Sequence, residues 1–170
     1  MCSRLVGRGF SLSLFATASL LLIATLYARS KPAPLKTFAQ KLVEETMSAH
    51  SELSDFEISA LSPEFEKCIT IASTEPKGVG EQCDKDELTA MKTNRPFVEK
   101  EKENGKEVYD VTIPLHDPKG RIIATAGITF KPLPDQRQED IVAQSQKIVR
   151  ELETRIQSRQ QLFEVVKRAF

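Results

Sequence analysis

Few side chains in this sequence have the types and spacing that catalysis requires. Its two histidines, His50 and His116, lie far apart and fit no metal-ligand spacing. The sequence contains no G-x-S-x-G, H-E-x-x-H, phosphate-loop or dinucleotide fingerprint. Its carboxylates cluster in charge-mixed stretches such as Glu99–Glu107, which are typical of a solvated hairpin. We therefore expect a protein that is not an enzyme and that holds no cofactor or metal.

An export segment begins the sequence. Basic residues precede an uncharged apolar run, Phe10–Ala28, which is the pattern of a signal peptide. Residues 1–28 are therefore predicted to be a cleaved signal peptide or an N-terminal membrane anchor, because the run is just long enough to span a bilayer. The remainder is expected to be periplasmic or secreted, or anchored in the membrane with its domain outside the cytoplasm. Residues 29–34 are predicted to be a short, stiff linker.

Two cysteines, Cys68 and Cys83, follow the export segment. In an oxidising compartment such a pair favours a disulfide over a reactive thiol or a metal site. The bond would join the second predicted strand to the loop after it. Closing a loop of about 15 residues would stabilise the fold by roughly 3 kcal/mol in the chain-entropy model.

Length and charge exclude several classes of protein. The chain has 170 residues, which suits one domain with an ordinary core. Its 24 basic and 24 acidic residues balance, so there is no basic excess of the kind that nucleic-acid binding requires.

Three antiparallel strands joined by two tight turns are predicted between Phe97 and Phe130. Asn104-Gly105 is a strong hairpin signal because both residues tolerate positive φ. Asp117-Pro118-Lys119-Gly120 fits a type I turn, in which Pro fixes φ and Gly takes the left-handed position.

Alternation along the last two strands separates a polar face from an apolar one. Asp110 and Thr112 share the polar face of the first strand, and Thr125 and Gly127 that of the second. Such small polar residues either line a small-ligand cavity or form a solvated outer surface. The apolar face comprises Tyr109, Val111, Ile113, Leu115, Ile122, Ala124, Ala126, Ile128 and Phe130.

The preceding chain is predicted to add two helices and two strands. Leu35–Ser51 has apolar residues at helical spacing. Phe56–Ala60 and Cys68–Ala72 are predicted strands, and Asp84–Lys92 is a predicted short helix that begins at an Asp cap. The predicted class is α+β, a five-stranded antiparallel sheet with long N- and C-terminal helices, in one domain over residues 35–135.

Residues 136–170 contain no Gly or Pro and are predicted to form one long helix. Apolar residues recur every seventh position from Val142 to Phe170, as in a coiled coil, with defects at Ser145 and Arg159. The first half is expected to pack on the domain. The second half, from about residue 157, is expected to project and pair with another copy.

A resemblance to a known family begins in the run YDVTIPLHDPKGRIIATAGITF, residues 109–130. It resembles the last two strands of PAS-like Cache (PDC-type) extracellular sensor domains. These often show an apolar strand ending in Pro, then Asp-x-x-Gly, then an apolar strand with a Gly. The order of elements over residues 35–131 is similar too. The resemblance implies a PAS/Cache-like fold in which residues 74–95 form a lid over a small-molecule pocket.

The resemblance also implies a function. Cache domains commonly bind small carboxylates, amino acids or amines, so we expect an exported, stand-alone sensor domain without its own output domain. It would work with a membrane-bound signalling partner and form a homodimer through its terminal helices. The alternative is a structural or interaction module that acts through its C-terminal helix.

Seven residues are the resulting ligand-binding candidates. Tyr109 faces away from Asp110 and Thr112, so one pocket cannot include all of them. Either the polar face lines the pocket and Tyr109 belongs to the core on the helix side, or Tyr109 binds the ligand and Asp110 is solvated. The candidates are Lys92, Arg95, Tyr109, Asp110, Thr112, Thr125 and Gly127.

Overall fold

The structure is a computed structural model that describes residues 36–63, 67–103, 105–132 and 137–166. The predicted export segment and linker, and Asn104 of the predicted hairpin turn, lie outside the described residues. None of the described helices is long and apolar enough to cross a membrane.

The described chain follows the order expected from the sequence up to the last strand and then has two helices where one was expected. The helices and strands are α1 (Phe38–Ala49), β1 (Leu53–Leu61), β2 (Cys68–Ser73), α2 (Lys85–Thr93), β3 (Phe97–Glu103), β4 (Lys106–His116), β5 (Ile122–Phe130), α3 (Gln138–Glu153) and α4 (Arg159–Phe163).

The strands form one antiparallel sheet in the order β2-β1-β5-β4-β3. Both predicted turns of the meander join the strands that they were expected to join. At the second turn, Gly120 has a φ of 75° and its N–H donates to the Asp117 carbonyl at 2.8 Å. The predicted α+β class with a five-stranded antiparallel sheet is therefore confirmed.

The core lies between the apolar face of the sheet and helices α1 and α3. Cross-strand neighbours on this face, such as Val111 and Ile128, are fully buried. They meet Leu42 of α1 and Ile148 of α3 in one apolar cluster. Tyr109 is partly buried against the same cluster, so the apolar face lies on the side that the alternation predicted.

The predicted single helix over residues 136–170 is wrong in its extent. Helix α3 ends at Glu153, and the chain turns before α4, where the Ser158 hydroxyl accepts from the Gln161 N–H. After α4 the chain runs beside the start of α1, where the Phe38 N–H donates to the Glu164 carbonyl at 2.8 Å.

Burial explains why the helix does not continue outward. Ile156 and Leu162 have no exposed surface, so both complete the core instead of facing another copy. A straight helix would have carried these side chains into water. The predicted projection from residue 157 is therefore wrong for the described part, and Phe170, the last heptad position, lies outside it.

Candidate functional site

The disulfide Cys68–Cys83 attaches the predicted lid to the sheet, as the sequence predicted. The two Cα atoms are 5.3 Å apart, and the Cys83 N–H donates to the Cys68 carbonyl at 3.0 Å. Asp84, the N-cap of α2, follows directly. The start of α2 is therefore fixed beside β2.

The structure brings four of the seven candidates to one face of the sheet. Asp110 lies opposite Thr129, Thr112 lies opposite Gly127, and Thr125 follows on the same side of β5. This face is opposite to the core face that holds Tyr109. Asp110, Thr112, Thr125 and Gly127 therefore share what we call the polar face.

Helix α2 covers this polar face. The Thr112 hydroxyl donates to Asp86 Oδ2 of α2 at 3.1 Å, and only 2% of Thr112 is exposed. Thr125 is fully buried, and its hydroxyl lies 3.4 Å from the Ser59 carbonyl that accepts its hydrogen bond. The solvated outer surface that the alternation also allowed is therefore wrong at these two positions.

Two carboxyl groups meet between α2 and the sheet. Glu57 of β1 lies opposite Gly127, and its side chain is hydrogen-bonded to that of Glu87 in the first turn of α2. Glu87 is 6% exposed, and its Oε2 also accepts from the Asp84 N–H at 2.7 Å. Two carboxyl groups form such a bond only when one carries a proton.

The electrostatics of this pair favour a bound proton. Burial raises the pKa of Glu57 to about 8, and the hydrogen bond to Glu87 and its charge add to that effect. The charges of Asp55 and Asp110 act in the same direction. Burial, followed by the charge of Asp86, also raises the pKa of Glu87.

Gly127 provides the space that Glu57 occupies. A Cβ atom at Gly127 would lie 2.9 Å from Glu57 Cγ and 3.3 Å from Glu57 Oε1. Real Cβ atoms essentially never approach another atom so closely. The glycine that the sequence placed among the ligand-binding candidates therefore contacts a side chain of the protein itself.

The other three candidates are not part of the polar face. Lys92 and Arg95 are exposed near the C-terminal end of α2. Tyr109 lies on the core face, with Lys100 Nζ 5.7 Å from the centre of its ring. Of the two arrangements that the alternation allowed, the structure has the one in which Tyr109 faces the helices.

Sequence reasoning missed three carboxylates of this site. Glu57 stands between apolar residues in β1, and an acid at a strand position expected to be covered is a usable signal. Asp86 and Glu87 lie in the first turn of the predicted short helix, where Glu87 completes the cap of α2. That they also face the sheet depends on how α2 docks, which no local pattern reports.

A second polar cluster joins the end of α2 to the end of α3. His116 Nδ1 lies 2.7 Å from Glu153 Oε1, and His116 Nε2 lies 2.8 Å from Asn94 Oδ1. Asn94 ends α2 in the left-handed conformation, with φ of 52°. Beside His116 is an open cleft of about 480 Å³, lined also by Arg150 and Thr154.

Within the described residues, no group of three or more His, Cys, Asp or Glu side chains is arranged to hold a metal ion.

Comparisons with known proteins give no family for this chain. No protein-family model and no curated protein sequence matches it. The solved structures to which it is similar include a GAF domain of a two-component sensor histidine kinase from Bacillus halodurans. That match has 12% identity, covers 70% of this chain and 93% of that one, and has a TM-score of 0.48.

Two further solved structures are similar at the same level. The A. aeolicus nlh2 GAF domain has 11% identity, 69% and 81% coverage of this chain and that one, and a TM-score of 0.49. The E. coli DcuS sensor domain has 13% identity, 64% and 71% coverage and a TM-score of 0.41. At these values the likeness carries no conclusion about a ligand or partner. The sheet and helices described above give the chain the α+β plan that the sequence predicted.

Proposed function

We propose that this chain is an exported, Cache-like sensor domain that binds a small molecule between α2 and the polar face. The observation that carries the proposal is the closure of that face by α2. Hydroxyl and carboxyl groups from two sheet strands and one helix converge there, and a disulfide fixes the helix at its start. A few convergent polar side chains of this kind are a usual feature of small-molecule sites.

The acidic residues around the polar face favour one class of ligand over the others. The resemblance allowed organic acids, amino acids and amines. The polar face carries Glu57 and Asp110, and α2 adds Asp86 and Glu87. An organic acid would need cationic donors, whereas the two cationic candidates, Lys92 and Arg95, are exposed near the far end of α2. The proposed ligand therefore carries an amino group, as an amine or an amino acid does.

The interaction module remains the competing proposal, but the C-terminal helices expose less apolar surface than it requires. Ile156 and Leu162 are buried within the domain, so the described residues leave no apolar stripe from 156 to 166 for a second copy. Val165 is half-exposed. A homodimer through the terminal helices and a membrane-bound signalling partner stay predictions of the sensor proposal.

A thermal-shift screen against amines, amino acids and organic acids tests the function. A ligand that binds only the native state stabilises it by about 2.7 kcal/mol at one hundred times its Kd. We expect hits among compounds with an amino group. Each shift is measured against the variant's own midpoint, and we expect Asp86→Asn and Asp110→Asn to remove it, because each takes away a negative charge beside the polar face.

Glu81→Gln is the matched control, because Glu81 is an exposed carboxylate in the segment before α2. It should keep the full shift. Hits confined to organic acids would overturn the ligand class. A panel without hits would count against the sensor function itself.

A further inference from the structure

The Glu57–Glu87 pair is a polar contact between the sheet and α2. Glu57 lies on β1, between β2 and β5 in the sheet, and Glu87 lies in the first turn of α2. Besides this pair, the Thr112–Asp86 hydrogen bond also links the polar face to the helix. Glu57, Gly127 and Thr112 lie side by side on neighbouring strands, so Glu57 lies at the β1 side of the contact between α2 and the sheet.

We propose that a proton shared between Glu57 and Glu87 latches α2 onto the sheet, so that α2 loosens as rising pH removes the proton. The further step, in which this loosening uncovers a ligand site, rests on the proposed function. The latch itself rests on the position of Glu57, which lies beside Gly127 in the same cross-strand row as Thr112, whose hydroxyl donates to Asp86 in the first turn of α2.

The surroundings make the proton necessary. The charges that act most strongly on Glu57 are acidic: Glu87 on α2, Asp55 on β1 and Asp110 on β4. On α2, Asp86 adds a further negative charge beside Glu87. Two ionised carboxylates at this spacing repel each other strongly, because burial reduces the screening by water.

The helix assigns the proton to one member of the pair. Glu87 lies in the first turn of α2 and accepts from the Asp84 N–H, and both features favour its ionised form. Within the described residues, no backbone N–H donates in this way to the side chain of Glu57. Glu57 is therefore the proton donor and Glu87 the acceptor.

The direction of the pH effect follows from linkage. The closed lid keeps the proton up to pH of about 8, whereas an exposed glutamate loses it near its ordinary value. Between these limits, opening releases one proton, so the equilibrium constant for opening rises up to tenfold per pH unit. Below this pH range both states keep the proton, and above it both have lost it. The equilibrium constant for opening therefore does not change with pH outside the range.

Hydrogen exchange of the full chain tests the latch. Protection of the amides of α2 is measured from pH 5 to pH 9 and corrected for the intrinsic exchange rate. We expect the opening constant of α2 to rise severalfold per pH unit up to pH of about 8 and to exceed that of the α3 amides throughout, because the buried α3 amides exchange through global unfolding. Glu57→Gln, which cannot ionise, should remove the slope, and the exposed control Glu81→Gln should keep it.

Either of two results would overturn the latch. One is an α2 opening constant that does not change with pH in the unmodified chain. The other is an unchanged slope in Glu57→Gln. If that variant does not fold, the side-chain carboxyl carbons of the unmodified chain are titrated by NMR, and ordinary titration of both Glu57 and Glu87 contradicts the proposal.

These outcomes are separate from those of the ligand screen. A chain with the expected slope and no ligand would retain the latch and lose the sensor function. A chain that binds an amine without the slope would do the reverse.

Discussion

The backbone N–H of His116 and its ring Nδ1 both contact the same oxygen of Glu153, at 2.8 and 2.7 Å. Glu153 is the last residue of α3, and His116 is the last residue of β4. The other ring nitrogen meets Asn94, where α2 ends. One histidine thus holds the ends of a strand and two helices together, close to the place where α3 stops.

Glu153→Ala should lower the free energy of unfolding by about 1–2 kcal/mol, because it removes a charged acceptor from two hydrogen bonds. Chemical denaturation measures the change. Glu151→Ala is the matched control: Glu151 lies two residues earlier in α3, is 55% exposed, and has its Oε2 3.7 Å from His50 Nε2. Exposed pairs of that kind contribute roughly 0–1 kcal/mol. Equal losses in both variants would contradict a special role for Glu153.

Gly127→Ala should destabilise the fold by about 1–3 kcal/mol, because the added Cβ meets Glu57 Cγ at 2.9 Å. The same substitution in a Glu57→Ala background should cost much less, since the obstructing atoms are gone. A double-mutant cycle of denaturation measurements gives the coupling. Additive effects would show that Gly127 is required for another reason.

Strands and turns were predictable because their signals are local. Alternation marked β4 and β5, and Pro118 with Gly120 marked the turn between them. The end of α3 was not predictable in this way. The sequence after Glu153 remains helix-compatible, and the chain turns because Ile156 and Leu162 find places in the core. Tertiary burial decided the outcome against local propensity.

The strand residues of the candidate site were also predictable, because their placement follows from local alternation. The alternation placed Asp110, Thr112 and Gly127 on one face without any knowledge of the fold. The meeting of Glu57 with Glu87 depends on the docking of a helix thirty positions later in the chain. The sequence signals for that docking were the Cys68–Cys83 pair and the lid over residues 74–95 that the family resemblance implied.

Removing the disulfide should loosen α2 more than the rest of the fold. The bond closes a separation of 15 residues, so Cys68→Ser with Cys83→Ser should cost up to roughly 3 kcal/mol. Denaturation gives the total, and hydrogen exchange shows where protection is lost. A reducing agent should reproduce the loss in the unmodified chain and leave the double variant unchanged. If the reducing agent lowers the stability of the double variant by the same amount, the loss in the unmodified chain does not come from breaking this disulfide.

Global stability should fall as pH rises from about 5 to about 8, because Glu57 binds its proton more tightly in the folded chain. A raised folded-state pKa gives stability that is complete below the ordinary glutamate range and is lost as pH approaches the folded value of about 8. The slope has an upper limit of about 1.4 kcal/mol per pH unit for one proton. Denaturation at a series of pH values measures it. Glu57→Gln should flatten this part of the curve, and Glu81→Gln should not. A flat curve in the unmodified chain would show that Glu57 is already ionised when folded.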